Sequence, residues 1–194
     1  TADPVAIGQD AGTTNQSAQS VAIGVEAGET DQGASSIAMG YQCGEDTQSD
    51  FCVAMGYKSG QTTQGEGSVA LGKFAGQTNQ GIGCFAFGQG AGNNNQGDYA
   101  TAMGTNSGAK AQGSRSLALG FLSATDNQGA SSVAIGDTAG RFDQGDYSVA
   151  IGNRAGQTNQ PTNSIVIHSS SNENTPTASK QIVIGQSDYD VQIG

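Results

Sequence analysis

The sequence predicts an all-β fold, a single-chain parallel β-roll or solenoid of 16-residue coils that assembles as a parallel homotrimer. Three observations carry this expectation. There is an unbroken 16-residue repeat, a repeat unit built of β-branched residues and Gly, and a sorting of large and small side chains onto opposite faces. Val-Ala-Ile-Gly and its variants close at Gly8, Gly24, Gly40, Gly56, Gly72, Gly88, Gly104, Gly120, Gly136 and Gly152, each 16 residues after the last. The consensus is S-V-A-I-G-x-x-A-G-x-x-x-Q-G-x-x. A unit this short cannot hold the helical hairpins of longer repeats, which need about 33 residues, and Gly and β-branched residues are poor helix formers. A strand of four or five residues, a Gly turn, a second strand and another turn fit one coil. Coils stacked by parallel backbone hydrogen bonds rise ~4.8 Å each, so ten make a rod roughly 50 Å long. Residues 1–160 are read as this ten-coil solenoid, and 161–194 as a C-terminal transition segment with irregular strands.

Composition excludes the ordinary alternatives. Apolar residues make up 35% of the 194, below the ~45–50% of globular chains, which argues against one large core. Low hydrophobicity and 31 Gly would suit disorder, but the regular placing of the apolar residues opposes it. The net charge of −10 repels phosphates, so no nucleic-acid partner is expected. No apolar run approaches the ~18–20 residues of a membrane span, and no membrane insertion by this segment is expected. The chain lacks an initiating Met and a basic–apolar start, as a fragment or processed product would.

Parity assigns the faces, because alternate residues of a strand point opposite ways. The column before the Ala reads Val5, Val21, Ile37, Val53, Val69, Phe85, Thr101, Leu117, Val133 and Val149. The column after it reads Ile7, Ile23, Met39, Met55, Leu71, Phe87, Met103, Leu119, Ile135 and Ile151. The opposite face carries Ala in all ten repeats, usually preceded by Ser. Either the large face fills a single coil, or the small face does and the large stripe meets other chains. A 16-residue coil encloses little space, and soluble monomers rarely tolerate a continuous exposed apolar patch. The second arrangement is therefore expected, with the large columns (Thr101 excepted) forming the trimer interface and their burial supplying the main stabilisation at ~25 cal/mol per Å².

Ser-Val-Ala-Ile-Gly followed by x-x-Ala-Gly, as at Ser20 to Gly24 and Ser132 to Gly136, resembles the head repeat of trimeric autotransporter adhesins and similar repeats in phage and large-virus fibres. The resemblance covers residues 5–160. It implies a left-handed parallel β-roll, three chains around one axis, and the Val and Ile columns at the trimer core. The period here is longer than is usual for the family, whose pattern lacks a Gln column.

That Gln column comprises Gln16, Gln32, Gln48, Gln64, Gln80, Gln96, Gln112, Gln128, Gln144 and Gln160. It is read as a structural ladder, each amide bonded to the next or to turn backbone. Cys52 and Cys84 replace the Ser before the large column, and Cys43 replaces an Ala. At two coils, ~9–10 Å, Cys52 and Cys84 exceed the ~7 Å Cα limit of a disulfide, so free, small, buried thiols are expected. His168 stands alone and is read as a solvated turn residue. The carboxylates recur in no coil-by-coil pattern, so no metal site and no cofactor are expected. Tyr41 and Tyr57 share one column, with Phe121 farther along, and Tyr99 and Tyr147 share another. These aromatics are candidate surface ligand contacts, with packing on neighbouring coils the alternative. Beyond Pro161 the register is expected to break, with a loop at Ser171–Ser179 and short strand signals at Ile165–Ile167, Ile182–Ile184 and Val191–Ile193.

A uniform repeat with no converged polar cluster is not the pattern of an enzyme. The expected function is a structural fibre or adhesin segment, extracellular, on a virion or cell surface. Its partners would be itself, as a homotrimer, and a host-surface glycan or protein. The alternative is an ice-binding β-solenoid, suggested by Thr14, Thr30, Thr62, Thr78 and Thr158 two places before the Gln, a column interrupted by Asp46, Asn94, Lys110, Asp126 and Phe142.

Overall fold

The computed structural model describes residues 3–168 and 178–185. Most of the expected loop at Ser171–Ser179 and the Val191–Ile193 strand signal lie outside the described residues. Within them the chain winds into stacked coils. Each Val-Ala-Ile motif forms a strand, and twelve such strands, from Val5–Ile7 to Ile182–Ile184, build one parallel sheet. Like stacks on like: Val53 pairs with Val69, Ala54 with Ala70 and Met55 with Leu71.

A second parallel sheet holds six strands: Thr62–Gln64, Thr78–Gln80, Asn94–Gln96, Lys110–Gln112, Asp126–Gln128 and Phe142–Gln144. Single bridges such as Thr14 to Thr30 and Phe142 to Thr158 carry its stacking toward both ends. All these strands are three residues long, shorter than the sequence suggested. The second set is also bent, because its middle residue adopts left-handed backbone, as at Thr63 (φ 53), Asn79 (φ 52) and Asn95 (φ 54). Only the flanking residues pair, Thr62 with Thr78 and Gln64 with Gln80. Asn and Asp tolerate that conformation better than other non-glycine residues, and they hold much of this column.

The turns are stacked as tightly as the strands. Lys58 N–H donates to Tyr41 O at 2.9 Å, Gly60 N–H to Ala75 O at 2.9 Å and Gly67 N–H to Asp50 O at 3.0 Å. Buried backbone groups must find partners, and here the neighbouring coil supplies them around the circumference.

Small residues fill the inside. Ala22, Ala38, Ala54, Ala70, Ala86, Ala102, Ala118, Ala134 and Ala150 are fully buried, facing Ala27, Ala75, Ala91, Ala139 and Ala155 across the coil. Their strand neighbours of the Val and Ile columns lie outside, partly or fully exposed, for example Met55 at 41% and Phe87 at 49%. Of the two arrangements open to the sequence, the structure has the small face inward.

Position 160 is not a break. Ile165–Ile167 pairs with Val149–Ile151 at the regular 16-residue offset, Asn163 repeats the left-handed turn (φ 56) and Ser164 is buried like its counterparts. This corrects the expected change at Pro161: the turn column tolerates Pro there, and stacking persists to Ile167. The offset lengthens only at the next step, where Ile165 pairs with Ile182. Val166 takes the interior Ala position and is fully buried.

The motif Gly column sets how closely coils approach. Gly104 has φ +124, and a Cβ there would lie 2.5 Å from Gly120 O. Left-handed strain in a non-Gly residue costs about 1–3 kcal/mol, and the clash is with backbone that cannot yield. Gly104→Ala is expected to lower stability by about 3 kcal/mol in denaturant unfolding. An unchanged midpoint would show that the coils separate more easily than this geometry requires.

Candidate functional site

The most regular polar constellation is the Gln column. From Gln32 to Gln160 each Gln is buried, while Gln16, in the first coil, is partly covered. Every one of the ten Nε2 groups donates to the carbonyl eleven residues earlier, the first residue of the same coil's outer strand. Gln48 reaches Ile37 O at 3.0 Å, Gln96 Phe85 O at 3.1 Å, Gln112 Thr101 O at 2.8 Å and Gln160 Val149 O at 2.9 Å. The remaining bonds are Gln16 to Val5, Gln32 to Val21, Gln64 to Val53, Gln80 to Val69, Gln128 to Leu117 and Gln144 to Val133. Each amide therefore crosses the lumen and ties the two sheets together.

Amide-to-amide bonds run along the rod in two stretches and one isolated step. Gln16 donates to Gln32, Gln32 to Gln48 and Gln48 to Gln64 at 3.0–3.2 Å, Gln80 donates to Gln96 at 3.2 Å, and Gln128 continues through Gln144 to Gln160. The acceptor oxygens of Gln80, Gln112 and Gln128 are buried without a partner, and these are the three positions where no amide donates from the coil before. Gln64 and Gln96 turn instead to Ser68 O and Ala100 O. Because these amides are turned into the lumen and buried from Gln32 to Gln160, the column offers no surface to a ligand.

The remaining sequence-stated residues divide by face. Cys43, Cys52 and Cys84 are free and buried. Cys52 Sγ lies 3.0 Å from Gly65 O and Cys84 Sγ 2.9 Å from Gly97 O, the role Ser36 and Ser68 fill with their hydroxyls toward Ser49 O and Gly81 O. Burial pushes the Cys43 thiol up to about 12 and raises Cys52 and Cys84 as well. His168, expected in solvent, is instead 5% exposed. Among the described residues both ring nitrogens lack partners, and desolvation lowers its pKa, because the stacking continues to this residue, whose N–H donates to Ile151 O at 3.0 Å.

Tyr41 and Tyr57 are brought together, stacked at 5.3 Å with planes 12° apart, and Phe74 meets Tyr57 edge-on at 5.4 Å. Lys73 lies 5.8 Å from the Tyr57 ring centre and 5.0 Å from that of Phe74. Phe74 and Lys73 were not singled out from sequence; the signal was the place of Lys73 one coil beyond Tyr57, with Phe74 next to it. Tyr99 and Tyr147 are both exposed but stand three coils apart and do not meet. The Thr column near the Gln is no uniform face: Lys110 pairs with Asp126 at 3.1 Å and Arg141 covers Phe142 at 4.6 Å. Glu26, Glu29 and Glu45 bring carboxylate oxygens within 4.8 Å of one another, and Gln42 donates to both Glu26 and Glu45. Partial burial, then the neighbouring carboxylates, raises the Glu29 pKa.

A parallel solenoid of thin, small-residue coils, with its bulk displayed outward in columns, defines a repetitive fibre module. The YadA head domain repeat matches it twice, over residues 96–123 and 144–155. The first match spans the motif glycines Gly104 and Gly120, the second Gly152. Together with the solenoid, these matches support the head-repeat family of trimeric autotransporter adhesins, a structural adhesin domain and not an enzyme family. No curated protein matches the chain. Among the described residues no helix is long and apolar enough to cross a membrane.

Two outcomes follow from the interior. Gln96 makes two backbone bonds and accepts one from Gln80, whereas Gln112 makes a single bond and carries an orphaned oxygen. Gln96→Leu should cost about 3 kcal/mol and Gln112→Leu about 1 kcal/mol in chemical unfolding; equal losses would mean the amide bonds are energetically interchangeable. Thiols this buried stay protonated, so native protein at pH 8 should resist iodoacetamide and denatured protein should take up three labels, counted by mass spectrometry.

Proposed function

We propose that the chain is a rod segment of an extracellular attachment fibre, assembled as a parallel homotrimer on a virion or cell surface. The carrying observation is the stripe of large side chains on the outer face of the first sheet. Val21, Ile23, Ile37, Met39, Val69 and Leu71 are partly covered by their own chain, Val5, Ile7, Met55, Phe87 and Leu119 are exposed, and the columns continue in register from Val5 to Ile151. All three Met of the sequence, Met39, Met55 and Met103, fall in this stripe, where an adaptable side chain suits a packed contact between chains.

A continuous apolar ribbon of this kind marks an interaction site. Three copies around an axis parallel to the rod bury it without leaving a free edge, and closed cyclic symmetry keeps the assembly finite. Covering the exposed part of each side chain contributes up to about 1 kcal/mol, repeated along the coils. The matched head repeats come from a family of trimeric adhesins, which supports the same assembly and a role in attachment to a host cell or surface. The Tyr41–Tyr57 stack and the exposed Tyr99 and Tyr147 are then surface features beside the covered stripe.

Sedimentation equilibrium tests this directly. A single species near three times 19.4 kDa is expected, and a well-behaved monomer would remove the interface. The double variant Val69→Asp, Leu71→Asp should dissociate the trimer while keeping its β-sheet circular dichroism, since both side chains lie outside the coil.

A further inference from the structure

The outer surface carries one depression built by missing side chains. In the turn after the first sheet, one column reads Phe74, Gly90, Asn106, Leu122, and a neighbouring one reads Gln77, Asn93, Ala109, Thr125. Gly90 and Ala109 interrupt these ridges, the Asn106 side-chain oxygen lies over Gly90, and a groove of about 440 Å³ remains between Phe74 and Leu122. Three coils separate those walls, ~14 Å along the rod.

The chemistry of the lining is unusual for this acidic chain. No carboxylate lines the groove, although the chain carries 17 acidic residues. Its polar groups are chiefly amides: Gln77, Gln89, Asn93, Asn94 and Asn106. Asn93 is pinned, donating to Phe74 O at 2.9 Å and Gln77 Oε1 at 3.1 Å. Among the described residues the side-chain amides of Gln89 and Asn106 make no hydrogen bond, and each offers both donors and an acceptor. The one cation, Lys110, is already paired with Asp126. Backbone beneath the groove is stacked coil on coil, with Gly90 N–H on Lys73 O at 2.9 Å and Asn106 N–H on Gln89 O at 2.8 Å. An extended peptide, which binds by adding a strand to open backbone, finds no edge here.

We propose that this groove binds a short uncharged oligosaccharide, of two or three pyranose units. Vicinal hydroxyls pair with amides that both donate and accept, and the C–H faces of the sugar rings lie against Phe74 and Leu122. Apolar walls with a few fixed polar groups are the ordinary makeup of a ligand site. None of the lining residues belongs to the Val or Ile columns, so covering the stripe leaves the groove open. The assignment rests on the attachment role proposed above and not on the threefold assembly.

The test uses the full chain on a printed panel of neutral, N-acetylated and acidic di- and trisaccharides, with oligomeric state followed in parallel by sedimentation. Retention on uncharged members is expected. Ala109→Gln places in the groove the residue that the same column carries at Gln61, Gln77 and Gln157, so the coil accepts it. Binding should weaken about tenfold, as it should when Gln89 and Asn106 are both changed to Ala and two hydrogen bonds are lost. Glu66→Ala, exposed and outside the groove, should leave binding unchanged. No retention on any sugar, retention of acidic members alone, or retention indifferent to Ala109→Gln would each overturn the proposal. A monomer that binds and responds to Ala109→Gln keeps the groove and removes the trimer; a trimer that binds nothing does the reverse.

Discussion

Backbone hydrogen bonding between successive coils, at a fixed offset of 16 residues, is the constraint from which the other features descend. It forces every position to stack on its own equivalents. A column survives only if its residue tolerates a copy of itself one coil away. Gly tolerates this in the motif column, where Gly104 approaches Gly120 O too closely for any Cβ. Gln tolerates it inside, because an amide both donates and accepts. A buried column of carboxylates or ammonium groups would repel itself in a low-dielectric interior, and among the described residues the lumen holds none.

The same constraint decides where the bulk goes. A coil of 16 residues with two three-residue strands leaves room for Ala, Ser, Cys and one extended amide per turn. Val and Ile, which fill the interior of most β proteins, face outward in the ten motif coils, and Val166 enters the lumen only beside the step where the offset lengthens. The single chain thus buries little apolar mass against itself. Its internal order comes from hydrogen bonding, and most of its large apolar side chains stay outside the coil. The thin rod and the outward stripe are consequences of one packing limit.

Much of this was legible in the sequence because columns repeat in plain view. Alternation of Val, Ala and Ile fixed the two faces, and the thinness of the coil selected which one turned inward. What stayed hidden had physical reasons. The left-handed middle residue of the second strand is Thr63, Asn79, Asn95, Ala111 or Asp143, a mixture in which no single residue type announces the conformation. The stacking past Pro161 was missed because Pro occupies a turn place that Ser17 and Ser49 also hold, and Val166 masks the Ala signal. The burial of His168 follows from that continued stacking. The groove left the weakest trace, since it consists of side chains that are absent at Gly90 and Ala109.

Tolerance differs sharply between the two sides of the coil, and that difference shows where specificity can reside. Inside, the column holding Ala27, Cys43, Ser59 and Ala75 varies only among residues of nearly equal volume, and all four are fully buried. A larger side chain would push adjacent coils apart and break bonds around the circumference. Outside, a column runs from Phe74 through Gly90 to Leu122 with the backbone pairing unchanged across it. Phe85 and Phe87 replace Val69 and Leu71 in adjacent strands without altering register. Surface relief can therefore change coil by coil while the lumen and ladder stay fixed. In such a rod a binding site is written as a local departure from the repeat, and the departures at Gly90 and Ala109 meet at one place on the surface.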